Sequence, residues 1–214
     1  MKLLLSPGPA RGLVAGLLVL FVFAAFPGRA QEPAPESSLK APFLVGRLLV
    51  AAPRMDDPRF AKTVIYMVNH NSSGAFGLII NKAYGAGPMR EFLKGFDIDA
   101  RAIEGDIRLH YGGPVSPAVG FVLHTADFNG PDTQAVNDQM AMTTEISVLK
   151  AIAEGHGPRR SLFAFGYAGW GAGQLEGEIA RGDWFSAPAD EKLIFDEDLK
   201  TKWSRASDKV RVKL

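Results

Sequence analysis

Residues 161–179, SLFAFGYAGWGAGQLEGEI, decide the fold of this chain. A short apolar run ends at Gly166, and four glycines then surround Tyr167 and Trp170. Glycine at this density is typical of turns with positive φ, or of a backbone that lets another group approach closely. A tyrosine and a tryptophan in such a bend commonly act as anchors with a polar tip. The stretch therefore predicts a strand, a glycine-rich bend and then a helix over 174–181.

The composition fits one globular domain without cysteine chemistry. The chain has 214 residues, of which 47% are hydrophobic and 22% charged, and it contains no cysteine. The lack of cysteine excludes disulfides, thiolate catalysis, cysteine-ligated zinc, iron–sulfur clusters and a bacterial lipid anchor. Without the first 30 residues, 21 basic residues stand against 23 acidic ones, a net charge of −2. That balance gives no general attraction to nucleic acid, so we expect no direct nucleic-acid binding.

The N-terminal residues have the layout of a targeting segment followed by a linker. Basic residues near the start precede an apolar run over 13–26, and small residues follow up to Ala30. This arrangement predicts a signal peptide over 1–30, cleaved after Ala30, and hence export. The alternative is an uncleaved membrane anchor, although the run is shorter than the roughly 20 apolar residues that a span needs. Residues 31–42 are rich in proline, glutamate and serine and predict a flexible linker before a domain over 43–214.

Apolar runs and turn signals predict strands in clusters, with short helices between them. Two runs, 60–70 and 75–80, enclose a polar turn and predict a β-hairpin. Apolar residues spaced at helical intervals after Thr144, up to Gly155, predict the clearest helix. The other predicted strands are 48–52, 107–111, 120–124, 136–142, 162–165, 184–185 and 193–195, and the other helices are 89–96 and 197–205. The order lacks the regular alternation of a doubly wound sheet and favours an α+β domain.

Familiar catalytic and metal-binding patterns are missing from the sequence. There is no P-loop, no HExxH, no GxSxG and no dinucleotide-binding glycine fingerprint. His70, His110 and His124 lie on predicted strands and could converge on zinc, with Asp57 or Glu176 as an oxygen ligand. None of these histidines is spaced i, i+2 or i, i+4 from another, so the alternative is that they form hydrogen bonds within the fold. We predict neither a metal nor a cofactor.

Gly112 and Gly113 leave two interpretations open. They precede Ser116, which suggests an oxyanion hole beside a nucleophile. Such a site needs a base, and no sequence feature places one. The alternative is a tight loop that turns the chain between two strands.

The glycine-rich bend is also open to two interpretations. In one, Trp170 packs in the core while Gln174 and Glu176 cap the following helix. In the other, glycine backbone and an aromatic face line a groove, and Gln174 and Glu176 reach a ligand in it.

Six segments occur in the order found in one known family. They are 49–53 (LVAAP), 57–60 (DPRF), 70–82 (HNSSGAFGLIINK), 111–115 (YGGPV), 121–125 (FVLHT) and 166–176 (GYAGWGAGQLE). Over about 43–195 the chain resembles the AlgH/YqgE family of bacterial proteins. The resemblance implies a single α+β domain, with a bifurcated, mainly antiparallel sheet folded into a pseudo-barrel and short flanking helices. It implies no known activity, although members often carry the label of transcriptional regulator.

The sequence departs from that family in two places. Many relatives have a cysteine in the strand before the His-Asn pair, where this chain has 66–69 (YMVN), so a thiol-based role is excluded here. Relatives also usually begin near the strand at 49–53 and look cytoplasmic, whereas the segment over 1–30 of this chain predicts export. We therefore expect a periplasmic protein that cannot regulate genes by touching DNA, with a cytoplasmic location as the alternative.

Three functions follow, in order of preference. The first is a non-enzymatic domain that binds an unidentified protein or small molecule. The second is an indirect transcriptional regulator, and the third is a hydrolase-like enzyme with His124 or His70 as its base. The candidate binding residues are His70, Asn71, Asn81, Gly112, Gly113, His124, Tyr167, Trp170, Gln174 and Glu176.

Overall fold

The computed structural model describes residues 43–100 and 103–211 of the chain. The predicted signal peptide (1–30) and linker (31–42) lie outside the described residues. Within the described ranges, no helix has both the length and the apolar character that crossing a membrane requires.

Ten strands and five short helices lie within the described ranges. The strands are β1 (Arg47–Ala51), β2 (Val64–Asn71), β3 (Gly74–Ile79), β4 (Ala83–Pro88), β5 (Asp106–Tyr111), β6 (Val115–Thr125), β7 (Thr133–Ala135), β8 (Met140–Thr143), β9 (Ser161–Gly171) and β10 (Trp184–Pro188). The helices are α1 (Met89–Lys94), α2 (Ser147–Ala153), α3 (Gln174–Ala180), α4 (Glu191–Phe195) and α5 (Leu199–Arg211).

Strand β9 is the point at which the sheet divides. The main path runs in the order β10-β1-β2-β3-β9-β6-β8-β7, and all of its pairings are antiparallel. The first half of β9 also pairs in parallel with β5, which in turn pairs with β4. The second half of β9 pairs instead with β3. The predicted bifurcated, mainly antiparallel sheet is therefore confirmed.

The sheet curls into a half-barrel around an apolar interior. The turn after β7 reaches back to β2, where the side-chain amide of Asn137 donates to the hydroxyl of Tyr66 at 3.3 Å. Burial of Tyr66 raises the pKa of its hydroxyl, so this bond joins two neutral groups. Side chains from both ends of the sheet meet inside, among them Leu48 of β1 and Leu123 of β6. Burial of this interior is the main force that holds the curl.

Glycine allows β9 to bend where the sheet divides. Gly166 has a φ of +70°, and a Cβ there would lie 2.3 Å from the carbonyl oxygen of Gly113. A Cβ on Gly113 would lie 2.1 Å from the backbone of Tyr167. Only glycine fits such backbone contacts. The bend places Tyr167 against the interior of the half-barrel, while Trp170 belongs to the cluster on the outer face.

Most predicted elements are confirmed, with boundaries that differ by a few residues. The hairpin is β2 and β3, and the helix predicted after Thr144 is α2. Residues 193–195, predicted as a strand, belong to α4, because Asp190 caps that helix by accepting the backbone N–H of Leu193 at 2.8 Å. The strand predicted at 136–142 is a turn followed by β8. Strand β4 was not predicted, because its alternating glycines carry no apolar pattern.

Candidate binding site

A groove opens at the mouth of the half-barrel and is named here the mouth groove. Its volume is about 570 Å³. It lies between the β2–β3 hairpin, the end of β9 and strands β6 to β8. Its lining residues are Asn69, Asn71, Ser73, Gly74, Ala75, Phe76, Val115, Phe121, Gln134, Met142, Tyr167, Gly169, Trp170 and Gly171.

Three aromatic side chains form the floor of the mouth groove. The ring of Phe76 lies 4.7 Å from that of Tyr167 and 5.5 Å from that of Phe121, centroid to centroid. Phe121 and Tyr167 are 5.9 Å apart and meet edge to face. These distances are typical of favourable aromatic pairs, so the three rings support one another. Phe76 and Tyr167 are half-buried, which leaves part of each ring facing the groove.

Neutral polar groups form the wall of the mouth groove. The amide of Asn71 donates to Oδ1 of Asn69 at 3.0 Å, and Oδ1 of Asn71 accepts the backbone N–H of Ser73 at 2.8 Å. These bonds orient the two asparagines. Among the described residues, the amide nitrogen of Asn69, the amide of Gln134 and the hydroxyl of Tyr167 have no hydrogen-bond partner. They are therefore free to bind a ligand.

No lining residue of the mouth groove carries a charge. Its aromatic rings and free amide groups match a ligand that is itself uncharged and rich in hydrogen-bonding groups. A charged ligand would lose hydration there without gaining a countercharge.

A second groove lies on the outer face of the sheet and is named here the outer groove. It is larger, about 760 Å³, and it shares Val115, Gly169 and Trp170 with the mouth groove. The remaining lining residues are Arg54, Met55, Asp56, Asp57, Arg59, Phe60, Pro114, Gln174, Glu178, Arg181, Asp183 and Trp184.

Glu178 of α3 joins the two tryptophans of the outer groove. Its Oε2 accepts the indole N–H of Trp170 at 2.8 Å and that of Trp184 at 2.9 Å. Its Oε1 accepts the amide of Gln174 at 2.9 Å. The two indoles meet edge to face at 6.0 Å. Glu178 therefore fixes α3 against the sheet, a role that the sequence analysis did not assign to it.

The charged side chains of the outer groove are largely paired with one another. Arg59 contacts Asp57 at 2.7 Å, and Arg181 contacts Asp183 at 2.9 Å. The hydrogen bond from the Arg59 side chain lowers the pKa of Asp57, whose side chain is partly exposed. Arg54 donates to the carbonyl of Arg181 at 2.8 Å. The outer groove thus has the charge that the mouth groove lacks, but most of that charge is already paired within the protein.

His70 links β2 to α3 and to the start of the described chain. Its Nδ1 accepts the backbone N–H of Leu44 at 3.1 Å, so its Nε2 carries the proton and donates to Oε1 of Glu176 at 3.0 Å. The side chain of His70 is 3% exposed. The pKa of Glu176 is lowered, first by its own backbone N–H and then by His70. Both nitrogens of His70 are occupied, so the structure contradicts the prediction of a base at His70.

The prediction of His124 as a catalytic base or binding residue is also wrong. His124 is fully buried, its Nδ1 donates to the carbonyl of Thr125 at 2.8 Å, and its Nε2 accepts the hydroxyl of Thr143 at 2.9 Å. Thr133 bonds to Thr143 in turn, at 2.8 Å. Burial lowers the pKa of His124 and keeps it neutral. The histidine holds β6 to β8 and β7 and has no access to a substrate.

Three other predicted residues lie outside both grooves. Asn81 accepts the backbone N–H of Val64 at 2.8 Å and donates to the carbonyl of Lys62 at 2.8 Å, so it joins the two strands of the hairpin. Gly112 and Gly113 are buried beneath β9 and provide close backbone contact rather than an oxyanion hole. The tight-loop interpretation of these glycines is therefore the better one.

Two alternatives left open by the sequence, a nucleophile at Ser116 and a metal site of histidines, find no support either. Ser116 lies in a bulge of β6 with a φ of +49°, and within the described residues its hydroxyl has no histidine partner. Residues 43–100 and 103–211 contain no group of three or more His, Asp or Glu side chains placed to share a metal ion.

Four of the ten predicted residues line a groove. Asn71, Tyr167 and Trp170 line the mouth groove, and Trp170 and Gln174 line the outer groove. His70 and Glu176 pair with each other between β2 and α3. Phe76 and Gln134 were not predicted, because the β2–β3 register and the pairing of β7 cannot be derived from local patterns. Asn69 could have been found, since it lies two residues before Asn71 and therefore on the same face of β2.

Comparisons with known proteins agree with this architecture. The AlgH-like family model matches residues 48–214. A UPF0301 protein of Methylococcus capsulatus is 49% identical over 161 residues, 75% of this chain and 88% of that protein. One of Rhodospirillum rubrum is 42% identical over 79% of this chain and 88% of that protein. The solution structure of the AlgH protein from Pseudomonas aeruginosa superposes with a TM-score of 0.66 at 37% identity, covering 86% of this chain and 93% of that one. A crystal structure from Corynebacterium diphtheriae, 24% identical with a TM-score of 0.58 over 75% of this chain and 83% of that one, shows the same fold.

Proposed function

This chain belongs to the AlgH-like family, and we propose that it is a non-enzymatic binding domain whose mouth groove takes an uncharged saccharide. The observation that carries the proposal is the composition of the groove: an aromatic floor, free neutral polar groups and no charge. The comparisons support the family and are silent on a ligand.

The aromatic floor suits the apolar face of a sugar ring. Tyr167 presents a partly exposed ring that Phe76 and Phe121 hold in place from two sides. A flat apolar ligand face displaces water from such a surface at little cost in side-chain entropy, because the rings are already packed. A volume of about 570 Å³ leaves room for two or three sugar rings in an open groove.

The neutral wall suits sugar hydroxyls. Each hydroxyl donates and accepts hydrogen bonds; the free amide nitrogen of Asn69 can donate, and the free amide of Gln134 can donate and accept. Because no groove residue is ionised near neutral pH, we expect binding that changes little with salt or between pH 5 and 8.

Export is part of the same proposal. The segment over 1–30 carries the layout of a signal peptide, and a saccharide-binding domain would meet its ligand outside the cytoplasm. Cells expressing the full-length chain should yield a periplasmic product whose first residue, determined by mass spectrometry, is Gln31. A cytoplasmic product that still carries residues 1–30 would contradict export. It would not affect the saccharide proposal, which the following experiment tests.

The experiment for the groove is a calorimetric titration with neutral oligosaccharides, such as cellohexaose, maltohexaose and tetra-N-acetylchitotetraose. Polygalacturonate fragments of similar length serve as charged counterparts. We expect at least one neutral sugar to bind and Tyr167→Ala to weaken it about tenfold or more, as for a central aromatic contact. Tyr167→Phe keeps the ring and should lose less.

Arg59→Gln in the outer groove is the matched control, and it should bind the sugar as the unchanged protein does. The proposal fails if no neutral sugar binds, or if Arg59→Gln and Tyr167→Ala weaken binding equally. Preferential binding of the charged fragments would also contradict it.

A further inference from the structure

Strand β4 has one edge that no described strand covers. It pairs with β5 along one side only, from Ala83 opposite His110 to Pro88 opposite Asp106. Most of its residues are exposed, and the side chain of Tyr84 is 60% exposed. An open edge presents backbone N–H and C=O groups that another strand can bind.

This edge lacks the usual protection against pairing. The sequence of β4, AYGAGP, contains no charged residue, and its proline is the last residue of the strand. A Cβ on Gly85 or Gly87 would meet nothing within 4 Å, so another backbone can approach there. The other outer strands differ, since β7 has three residues and β10 is contacted by α5. Proteins commonly block an exposed edge with lysine, an internal proline or a bulge; the bulge of β4 lies at its first residues, between Ala83 and Gly85, and 85–88 continue in regular register with β5.

An apolar hollow lies beside the same edge. Its volume is about 400 Å³, and Phe92 of α1 and Ile107 and Leu109 of β5 form its base. Glu91 is the one charged residue in its lining. Side chains of a strand added to β4 would reach this hollow, because alternate residues of an added strand lie on that face.

We propose that β4 is a dimerisation edge, at which a second copy of this chain adds its own β4 antiparallel and continues the sheet across a two-fold axis. This inference does not depend on the saccharide proposal, because β4 contributes no residue to the mouth groove. The two experiments can therefore fail separately.

A second copy fits this edge by charge and by shape. Self-pairing across a two-fold axis places a strand opposite itself, and an uncharged β4 brings no like charges together. Tyr84 is already held by Tyr111, whose ring it meets edge to face at 5.7 Å. With the axis at Ala86, Ala86 of each copy lies opposite Ala86 of the other, and Gly85 lies opposite Gly87.

The test compares Ala86→Lys, Ala86→Glu and their mixture, each purified after expression of the full-length chain. Ala86 is exposed on β4, so either side chain can point to water in a single copy. Light scattering after size exclusion should give the mass of two chains for the unchanged protein and of one chain for each variant. An equal mixture of the two variants should regain the two-chain mass, because lysine then lies opposite glutamate.

Phe185→Lys is the matched control, since Phe185 is 41% exposed on the outer strand β10. It should leave the dimer intact. Thermal melts of all variants establish that they are folded. A single-chain mass for the unchanged protein at about 100 μM, a concentration well above the Kd of specific dimers, overturns the proposal. So does a dimer that persists in both Ala86 variants, or a mixture that stays monomeric.

Discussion

The mouth groove and the outer groove share Trp170 and yet differ in what they leave free. The outer groove is the larger and has the charge, but three of its four carboxylates, Asp57, Glu178 and Asp183, are held by arginines or indoles within the same molecule. The mouth groove is smaller and neutral, but several of its polar groups have no partner among the described residues. The mouth groove is therefore distinguished as the candidate binding site by its unpaired polar groups, and not by its volume or its charge. The paired side chains of the outer groove mainly hold the fold together.

The strongest way to break both grooves together is Gly166→Ala. The new Cβ would lie 2.3 Å from the Gly113 carbonyl, at a φ of +70°, so β9 must move. We expect a loss of about 4 kcal/mol or more in the free energy of unfolding, measured with urea.

Gly173→Ala is the control for that substitution. Gly173 has a similar φ of +72° but open space around it, so it should lose only about 1 kcal/mol from the left-handed conformation. Equal losses at the two positions would show that close backbone contact at β9 does not matter.

Lowering the pH should reduce the free energy of unfolding without changing the affinity of the mouth groove for sugar. His110 is buried, and burial, followed by repulsion from Lys202, lowers its pKa from 6.5 to about 4. Between pH 6.5 and 4 the unfolded chain therefore binds a proton that the folded chain does not. Stability is full above pH 6.5 and should fall by up to about 3 kcal/mol as the pH drops to 4.

Urea unfolding at pH 7, 5.5 and 4.5 measures this loss. His110→Gln should reduce the slope, and the residual slope belongs in part to His124, whose pKa burial also lowers. An unchanged slope in His110→Gln would assign the acid sensitivity elsewhere. The affinity of the folded protein for sugar should stay the same while His110 takes up its proton.

A smaller effect confined to the outer groove is expected from Glu178→Gln. One amide oxygen cannot replace a carboxylate that accepts from Trp170, Trp184 and Gln174, and the amide N–H₂ would face an indole donor. We expect a loss of about 1–2 kcal/mol and a shift in tryptophan fluorescence. Glu176→Gln, on the same helix, should lose about 0.5 kcal/mol or less, because its carboxylate is 40% exposed. A change in sugar affinity in Glu178→Gln would mean that the two grooves are not independent.

Local patterns were sufficient for much of the fold. Apolar runs on both sides of the polar turn at 71–74 predicted the β2–β3 hairpin, and the glycine-rich stretch predicted the strand β9 and the helix α3. Both signals are local, because hairpin turns and helix starts involve residues within a few positions of one another. Residues 193–195 failed because three apolar residues in a row have no period to distinguish a strand from a helix.

The candidate site was only partly predictable, for a different reason. Tyr167 and Asn71 were identified because they lie in polar or glycine-rich segments at strand ends, where loops commonly carry function. Phe76, Phe121 and Gln134 come from three different strands, and their meeting depends on long-range register. His124 shows the opposite error: a polar residue at a strand end looked available, but the curl of the sheet buried it beside Thr143.

The pairing of β1 with β10 has a consequence for how the chain acquires its structure. Arg47 lies opposite Pro188, 141 positions later, and β2 is the other neighbour of β1. Contacts so distant in sequence slow folding, because a long loop must close before they form. Strand β1 therefore cannot complete its pairing until β10 has been synthesised, and the half-barrel closes only after that.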